Sequence, residues 1–223
     1  MVYVITGCAA FAVVGFFDLA ALKPIPYLKQ ATALAGSLLL SYCLGRAVVY
    51  GAKLPIPALL SYAGWLLLIP SFFLLIYSLF LEIPFRQTYA ADGVGDKLVK
   101  TGTYALVRHP GVLWFGFLLL SLVLVSRSRL LLVAAPVWLL MDVLYVLVQD
   151  RFFFGRMFPG YAQYRAETPM LIPTRRSVVR CWRSIGNRGI AEDRRDRQER
   201  EALARVPLQA ITVDRDSGRI ANT

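Results

Sequence analysis

One short motif carries most of the chemistry that the sequence offers. It is Gly102-Thr-Tyr-Ala-Leu-Val-Arg-His-Pro110, and it holds the only histidine of the chain. His109 is a titratable ring, and Arg108 beside it is a permanent cation. Pro110 is typical of the first position of a helix, whose first N–H groups and dipole attract an anion. The pattern predicts an anion-binding helix start beside a group that can transfer a proton.

The motif lies between long apolar segments, which indicate a membrane protein. The chain has 223 residues, is 57% hydrophobic and has a mean hydropathy of +0.54. Apolar runs of about 20 residues are typical of transmembrane helices, which pair their backbone groups internally. The runs lack the period-two alternation of barrel strands. We therefore predict an all-α, polytopic membrane helix bundle of about five transmembrane helices, over residues 2–22, 31–50, 58–81, 111–126 and 130–149.

The net charge of +11 lies mainly outside these segments and predicts their orientation. Arginines mixed with acidic residues favour a disordered tail over 174–223, after a membrane domain over 1–173. The positive-inside rule places this basic tail in the cytoplasm. Nucleic-acid binding is not favoured, because Trp182 is the only aromatic residue of the tail. The spacing of the cysteines suggests neither a metal site nor a disulfide.

The fourth and fifth predicted helices are joined by only about three residues, so they should form a tight antiparallel hairpin. Its cytoplasmic ends are residues 108–110 and 149–151, which are distant in the chain but should lie close together. Pro159-Gly160 then marks a turn. The helix that follows should carry Tyr161 and Tyr164 on one face, three residues apart.

The order of these features resembles that of a known family. The chain is similar to the C-terminal half of the isoprenylcysteine carboxyl methyltransferase and phospholipid methyltransferase superfamily in three successive parts. These are Leu98-Val-Lys-Thr-Gly-Thr-Tyr-Ala-Leu-Val-Arg-His-Pro110, a helical hairpin that ends in a polar pair, and Phe158…Tyr161…Tyr164…Thr168-Pro169…Ile172-Pro173. The resemblance covers about residues 95–173. The chain departs from it at Val112, where the family has a tyrosine, and at Gln149-Asp150, where the family has two glutamates.

The resemblance implies an integral-membrane methyltransferase that uses S-adenosylmethionine and methylates a lipophilic or lipid-linked carboxylate, amine or thiol. It implies catalytic roles for Arg108 and His109. Arg108 and the helix start suit the carboxylate of the cofactor, whereas Asp150 and the tyrosines suit its cationic groups. For a short chain of this class without a targeting peptide, we expect a bacterial plasma membrane. The cofactor contacts that the resemblance implies are Gly102, Tyr104, Arg108, His109, Pro110, Gln149, Asp150, Tyr161 and Tyr164.

The same residues also have purely structural interpretations. Arg108 could anchor a helix at the membrane interface, and His109 could cap that helix. Asp150 could cap the last span, and the two tyrosines could belong to an aromatic belt. For the whole chain, the alternatives are a membrane reductase that uses NADPH and a non-catalytic membrane protein on the same scaffold.

Other polar residues lie within or between the apolar segments. Asp18 and Asp142 fall inside predicted helices and should face the interior of the bundle, because acidic groups are costly in lipid. Arg46 could pair with either of them or extend to the membrane interface. The segment Asp92-Gly-Val-Gly-Asp96 has the glycine pattern of a phosphate loop, but a flexible turn explains it more simply.

Overall fold

A computed structural model of the chain describes residues 1–23, 25, 27–84, 88–89 and 98–186, and in this part the fold is all-helical. The expected all-α class is therefore confirmed. Two of the helices, α3 (Ala58–Ile76) and α6 (Arg129–Val148), continue directly into π-helical turns, over Tyr77–Leu81 and Gln149–Phe153. The helices are α1 (Val2–Leu22), α2 (Leu28–Tyr50), α3 (Ala58–Ile76), α4 (Thr103–Leu106), α5 (Pro110–Ser126), α6 (Arg129–Val148), α7 (Phe154–Met157) and α8 (Tyr161–Glu167).

Four helical segments of the described residues are long and apolar enough to cross a membrane: Val2–Leu22, Leu28–Tyr50, Ala58–Leu81 and Arg129–Met157. The remaining expected span, α5, is a shorter apolar helix of 17 residues. Its length is about 25 Å, against a hydrocarbon core of about 30 Å. The structure thus supports four candidate spans, together with a fifth apolar helix that is slightly shorter than the core.

Helix α6 lies in the middle of the bundle and packs against α1, α2 and α5, while α3 packs against α5. Its Trp138 is fully buried, and the indole Nε1 donates a hydrogen bond to the carbonyl oxygen of Val4 at 3.0 Å. Gly7 on α1 lies under the same indole, which would overlap any Cβ at this position. These contacts fix the position of α1 along the axis of α6.

The turn between α5 and α6 is bonded to the last turns of α2. Arg127 has a φ of 55°, and Ser128 caps α6 by accepting a hydrogen bond from the N–H of Leu131 at 3.2 Å. The Ser128 hydroxyl also donates to the carbonyl oxygen of Ala47 at 2.5 Å. The α5–α6 hairpin therefore has the tight connection that its sequence predicts.

The interior position expected for Asp18 is confirmed, because its side chain is buried between α1 and α6. It accepts hydrogen bonds from the Tyr145 hydroxyl at 2.8 Å and from Gln149 Nε2 at 2.9 Å. Arg46 is not its partner: the guanidinium donates to the hydroxyl of Tyr3 at 2.7 and 3.0 Å. Tyr3 and Asp18 are about 22 Å apart along α1, so Arg46 lies at the opposite end of the bundle.

The chain divides into two compact units, 1–181 and 182–223. Residues 175–181 of the first unit are helical, and so are residues 182–186 of the second. Of the expected tail over 174–223, residues 175–186 are helical in the structure. Its remainder, 187–223, and the expected turn over 92–96 lie outside the described residues.

Substituting Gly7→Ala tests the contact between α1 and α6. The new methyl group meets the ring of Trp138, and we expect overpacking to lower the free energy of unfolding by about 2 kcal/mol. Gly15→Ala is the matched control, because no atom lies within 4 Å of its Cβ position on the same helix. Thermal unfolding in detergent should show a loss for Gly7→Ala only; equal effects would contradict the packing.

Candidate functional site

Polar side chains converge where α5 begins and α6 ends. Asp150 lies in the π-helical turn after α6 and is 6% exposed. Its Oδ1 atom lies 3.3 Å from Arg108 Nε and 3.6 Å from His109 Nε2. The structure therefore brings together the two hairpin ends, 108–110 and 149–151, as the sequence predicts.

Helix α8 completes the surroundings of this carboxylate. The Tyr161 hydroxyl donates a hydrogen bond to Asp150 Oδ1, and Arg165 Nε lies 3.3 Å from Oδ2. Tyr164, one turn further on the same face, donates to the backbone oxygen of Tyr104 at 2.7 Å. The two tyrosines thus lie on one helix face, as their spacing predicts, but only Tyr161 contacts Asp150 directly.

Aromatic rings line one side of the cluster. The His109 ring stacks on Phe154, with 5.7 Å between centroids and 18° between planes. Phe154 meets Tyr161 edge-to-face at 5.5 Å, and Tyr161 meets Tyr164 at 6.0 Å. Ring faces attract cations. The cluster therefore offers both a carboxylate and π surfaces to a positively charged group.

A backbone connection positions Arg108 and His109 from the far side. The N–H of Arg108 donates to the carbonyl oxygen of Pro169 at 2.9 Å, and the N–H of His109 donates to that of Met170 at 3.2 Å. The Arg108 side chain also donates from Nη1 to the carbonyl oxygen of Arg165 at 2.9 Å. The segment after α8 therefore holds the start of α5 in place.

Glu82 is a buried residue of the site region that the sequence reasoning did not include. Its carboxylate accepts hydrogen bonds from the Thr103 N–H, at 3.0 and 3.1 Å, and from the Thr103 hydroxyl. Gly102 has a φ of +62°, and a Cβ there would overlap this carboxylate. The available signal was that Glu82 is the first charged residue after the apolar run over 58–81. Gly102 therefore has a structural role, because it leaves room for the Glu82 carboxylate to bind Thr103.

Three other expected contacts lie beside the cluster and not in it. Gln149 turns to Asp18 and Tyr145 on the other side of α6. The Tyr104 hydroxyl donates to the backbone oxygen of Ser78 at 3.1 Å, which ties the motif to the turn after α3. Pro110 is fully buried at the first position of α5. These residues shape the site from outside.

The electrostatics favour a neutral imidazole and protonated tyrosines. Burial lowers the pKa of His109, although the nearby Asp150 carboxylate opposes this effect. Burial also raises the pKa of Tyr161 and Tyr164, which therefore remain hydrogen-bond donors. Within the described part of the chain, Arg108 Nε and His109 Nε2 are buried and have no hydrogen-bond partner. Both atoms instead lie at ion-pair distance from Asp150 Oδ1, at 3.3 and 3.6 Å.

The chemistry of the cluster suits an organic ligand that carries both charges. Arg108 can bind a carboxylate, while Asp150 and the rings can bind an ammonium or sulfonium group. No group of three or more His, Cys, Asp or Glu side chains that could hold a metal ion is present in the described ranges. No protein-family model, curated protein or solved structure matches the chain. The geometry of the cluster is therefore the basis for a functional proposal.

Replacing Asp150 by asparagine tests whether the carboxylate holds the cluster together. The change leaves the buried guanidinium of Arg108 without its counter-charge, so we expect a loss of about 3 kcal/mol in the free energy of unfolding. Glu167→Gln is the control, because Glu167 pairs with Arg180 at 3.6 Å and both side chains are largely exposed. That control should cost less than about 1 kcal/mol. Equal losses in denaturant unfolding would contradict this role of Asp150.

The depressed pKa of His109 predicts a pH dependence of stability. Below about pH 6.5, the unfolded chain binds a proton on His109 more readily than the folded chain does. The free energy of unfolding therefore decreases as the pH is lowered. The slope approaches about 1.4 kcal/mol per pH unit until the folded-state pKa is reached. His109→Gln removes this contribution and should flatten unfolding free energies measured between about pH 7 and about pH 5. Parallel curves for the two proteins would refute it.

Proposed function

We propose that the protein is an integral-membrane methyltransferase that uses S-adenosylmethionine and acts on a lipophilic or lipid-linked acceptor. The observation that carries the proposal is the convergence of Arg108 and His109 on the carboxylate of Asp150. The aromatic side of the same cluster and the resemblance of residues 95–173 to the superfamily point to the same chemistry. Bound S-adenosylmethionine would supply an electrophilic methyl group.

The residues of the cluster fit the charged groups of this cofactor. Arg108, whose buried Nε atom lies 3.3 Å from Asp150 Oδ1, would bind the carboxylate together with the first N–H groups of α5. Asp150 would bind the amine, and the ring faces of Tyr161 and Tyr164 would accommodate positive charge. Positioning of this kind can supply much of the rate of a methyl transfer.

His109 would serve the acceptor. Burial lowers the pKa of its imidazole, which favours the neutral form, and its Nε2 atom lies 3.6 Å from Asp150 Oδ1. A neutral imidazole can take the proton of an amine or thiol acceptor, whereas a carboxylate acceptor needs no such help. Stacking on Phe154 holds the ring in one orientation.

The proposal includes an arrangement in the membrane. Helix α5 would be a fifth span beside the four longer segments, and the cluster would lie at the cytoplasmic face with the basic tail. The acceptor would then enter from the bilayer, while the cofactor would enter from water. A bacterial plasma membrane is the expected location.

Calorimetric titration of the intact chain in detergent with S-adenosylmethionine tests the proposal. We expect saturable binding at one site, and at least tenfold weaker binding by Arg108→Gln, because a buried charge partner is lost. Arg156→Gln is the matched control, since Arg156 is exposed on α7. It should bind as the unmodified chain does.

The other outcomes identify the alternatives. Binding of NADPH in place of S-adenosylmethionine would favour a membrane reductase. Binding of neither cofactor by a folded sample would favour a non-catalytic protein on this scaffold. Equal weakening by both arginine substitutions would place the ligand away from the cluster.

A further inference from the structure

Among the described residues, the end of the bundle where α1 begins contains cations and lacks carboxylates. It includes Arg46, Lys53, Arg127 and Arg129, and we refer to it as the carboxylate-free end. The sequence has no Asp or Glu over 1–17, 19–81 or 110–141. Along α6, the nearest carboxylate lies about 20 Å from Arg129. These cations therefore have no protein counter-charge along the helices of their own end.

Backbone contacts hold three of these cations side by side. The N–H of Leu54 donates to the carbonyl oxygen of Arg127 at 2.7 Å, and the N–H of Arg129 donates to that of Ala52 at 2.8 Å. Lys53, between Ala52 and Leu54, donates from Nζ to the carbonyl oxygen of Ser126 at 2.9 Å. The two loops therefore form one fixed basic surface.

A purely apolar groove opens further into the bundle, between α2 and α3 over α5. Its volume is about 400 Å³, and several of its lining side chains are exposed. Arg127 Nε donates to the Ser61 hydroxyl at 2.9 Å, which connects the basic surface to α3. The groove begins about 10 Å further along α3. Its lining residues are Leu44, Leu68, Ile69, Phe72, Phe73, Leu118 and Leu122.

We propose that the carboxylate-free end binds an anionic phospholipid, with the phosphate on Arg127 and Arg129 and one acyl chain in the groove. Charge complementarity selects this occupant, because basic side chains at a membrane surface attract anionic headgroups. A zwitterionic headgroup also carries a cation, and the carboxylate-free end has no carboxylate to pair with it, so such a lipid should bind less tightly. The groove supplies the apolar contact that a free phosphate could not use. This inference does not depend on the proposed methyl transfer.

Thermal unfolding of the intact chain in non-ionic detergent tests the inference. Phosphatidylglycerol and phosphatidylcholine with identical chains are added in separate titrations, because a ligand that binds the folded state raises the Tm. We expect stabilisation by phosphatidylglycerol at concentrations at least tenfold lower, with a difference that shrinks at high salt. Equal stabilisation by both lipids would overturn the proposal. So would equal stabilisation by glycerol phosphate, which lacks acyl chains.

Variants locate the effect on the molecule. The side chain of Arg129 is exposed, and within the described ranges only its backbone N–H makes a hydrogen bond. Arg129→Gln should therefore fold and weaken phosphatidylglycerol binding about fivefold. Adding Arg127→Gln should weaken it roughly 25-fold in total. Ile69→Trp, which fills the groove from an exposed position, should also weaken binding.

The matched control removes the same charge elsewhere. Arg175 and Arg176 are exposed arginines outside this end, so the double substitution to glutamine should leave phosphatidylglycerol binding unchanged. A control that weakens binding as much as the Arg127 and Arg129 pair would overturn the proposal. Wild-type binding by Arg129→Gln would overturn it as well.

Discussion

The carboxylate of Asp150 is the group on which the site depends. It is buried, and charge in such a position is tolerated only when partners surround it. The partners are Arg108, just before α5, together with Arg165 and the Tyr161 hydroxyl on α8. The α5–α6 hairpin separates Arg108 from Asp150 along the chain. One buried carboxylate therefore holds together the start of α5, the end of α6 and helix α8.

Two neighbouring residues of the π-helical turn after α6 contact different parts of the molecule. Gln149 is bonded to the buried Asp18 on α1, whereas Asp150 is bonded to the cluster at α5 and α8. This turn therefore connects the packing contacts of α1 and α6 directly to the residues of the site. π-helical turns in long helices are frequent at functional sites.

Periodicity and length predict the long helices, because an apolar run of about 20 residues has few other stable structures. The start of α2 at Leu28 is earlier than residue 31, since Lys29 is buried near the ring of Phe17 although it reads as a charged boundary. Hairpin geometry predicts that Arg108 and Asp150 meet. The role of Glu82 could not be predicted from the sequence, because its partner Thr103 is 21 residues further along the chain. The contact of Arg165 likewise depends on the turn before α8.

The indole of Trp138 has a consequence for how the bundle is assembled. Gly7, which lies under this ring, is on α1, the first helix to be synthesised. Trp138 is on α6, the last long apolar helix of the bundle. The same is true of Asp18, whose partners Tyr145 and Gln149 come from α6. The first helical pair must therefore enter the membrane with an empty space beside Gly7 and with Asp18 lacking its two hydrogen-bond donors from the last long helix. It reaches its final packing only after nearly the whole membrane domain has been made.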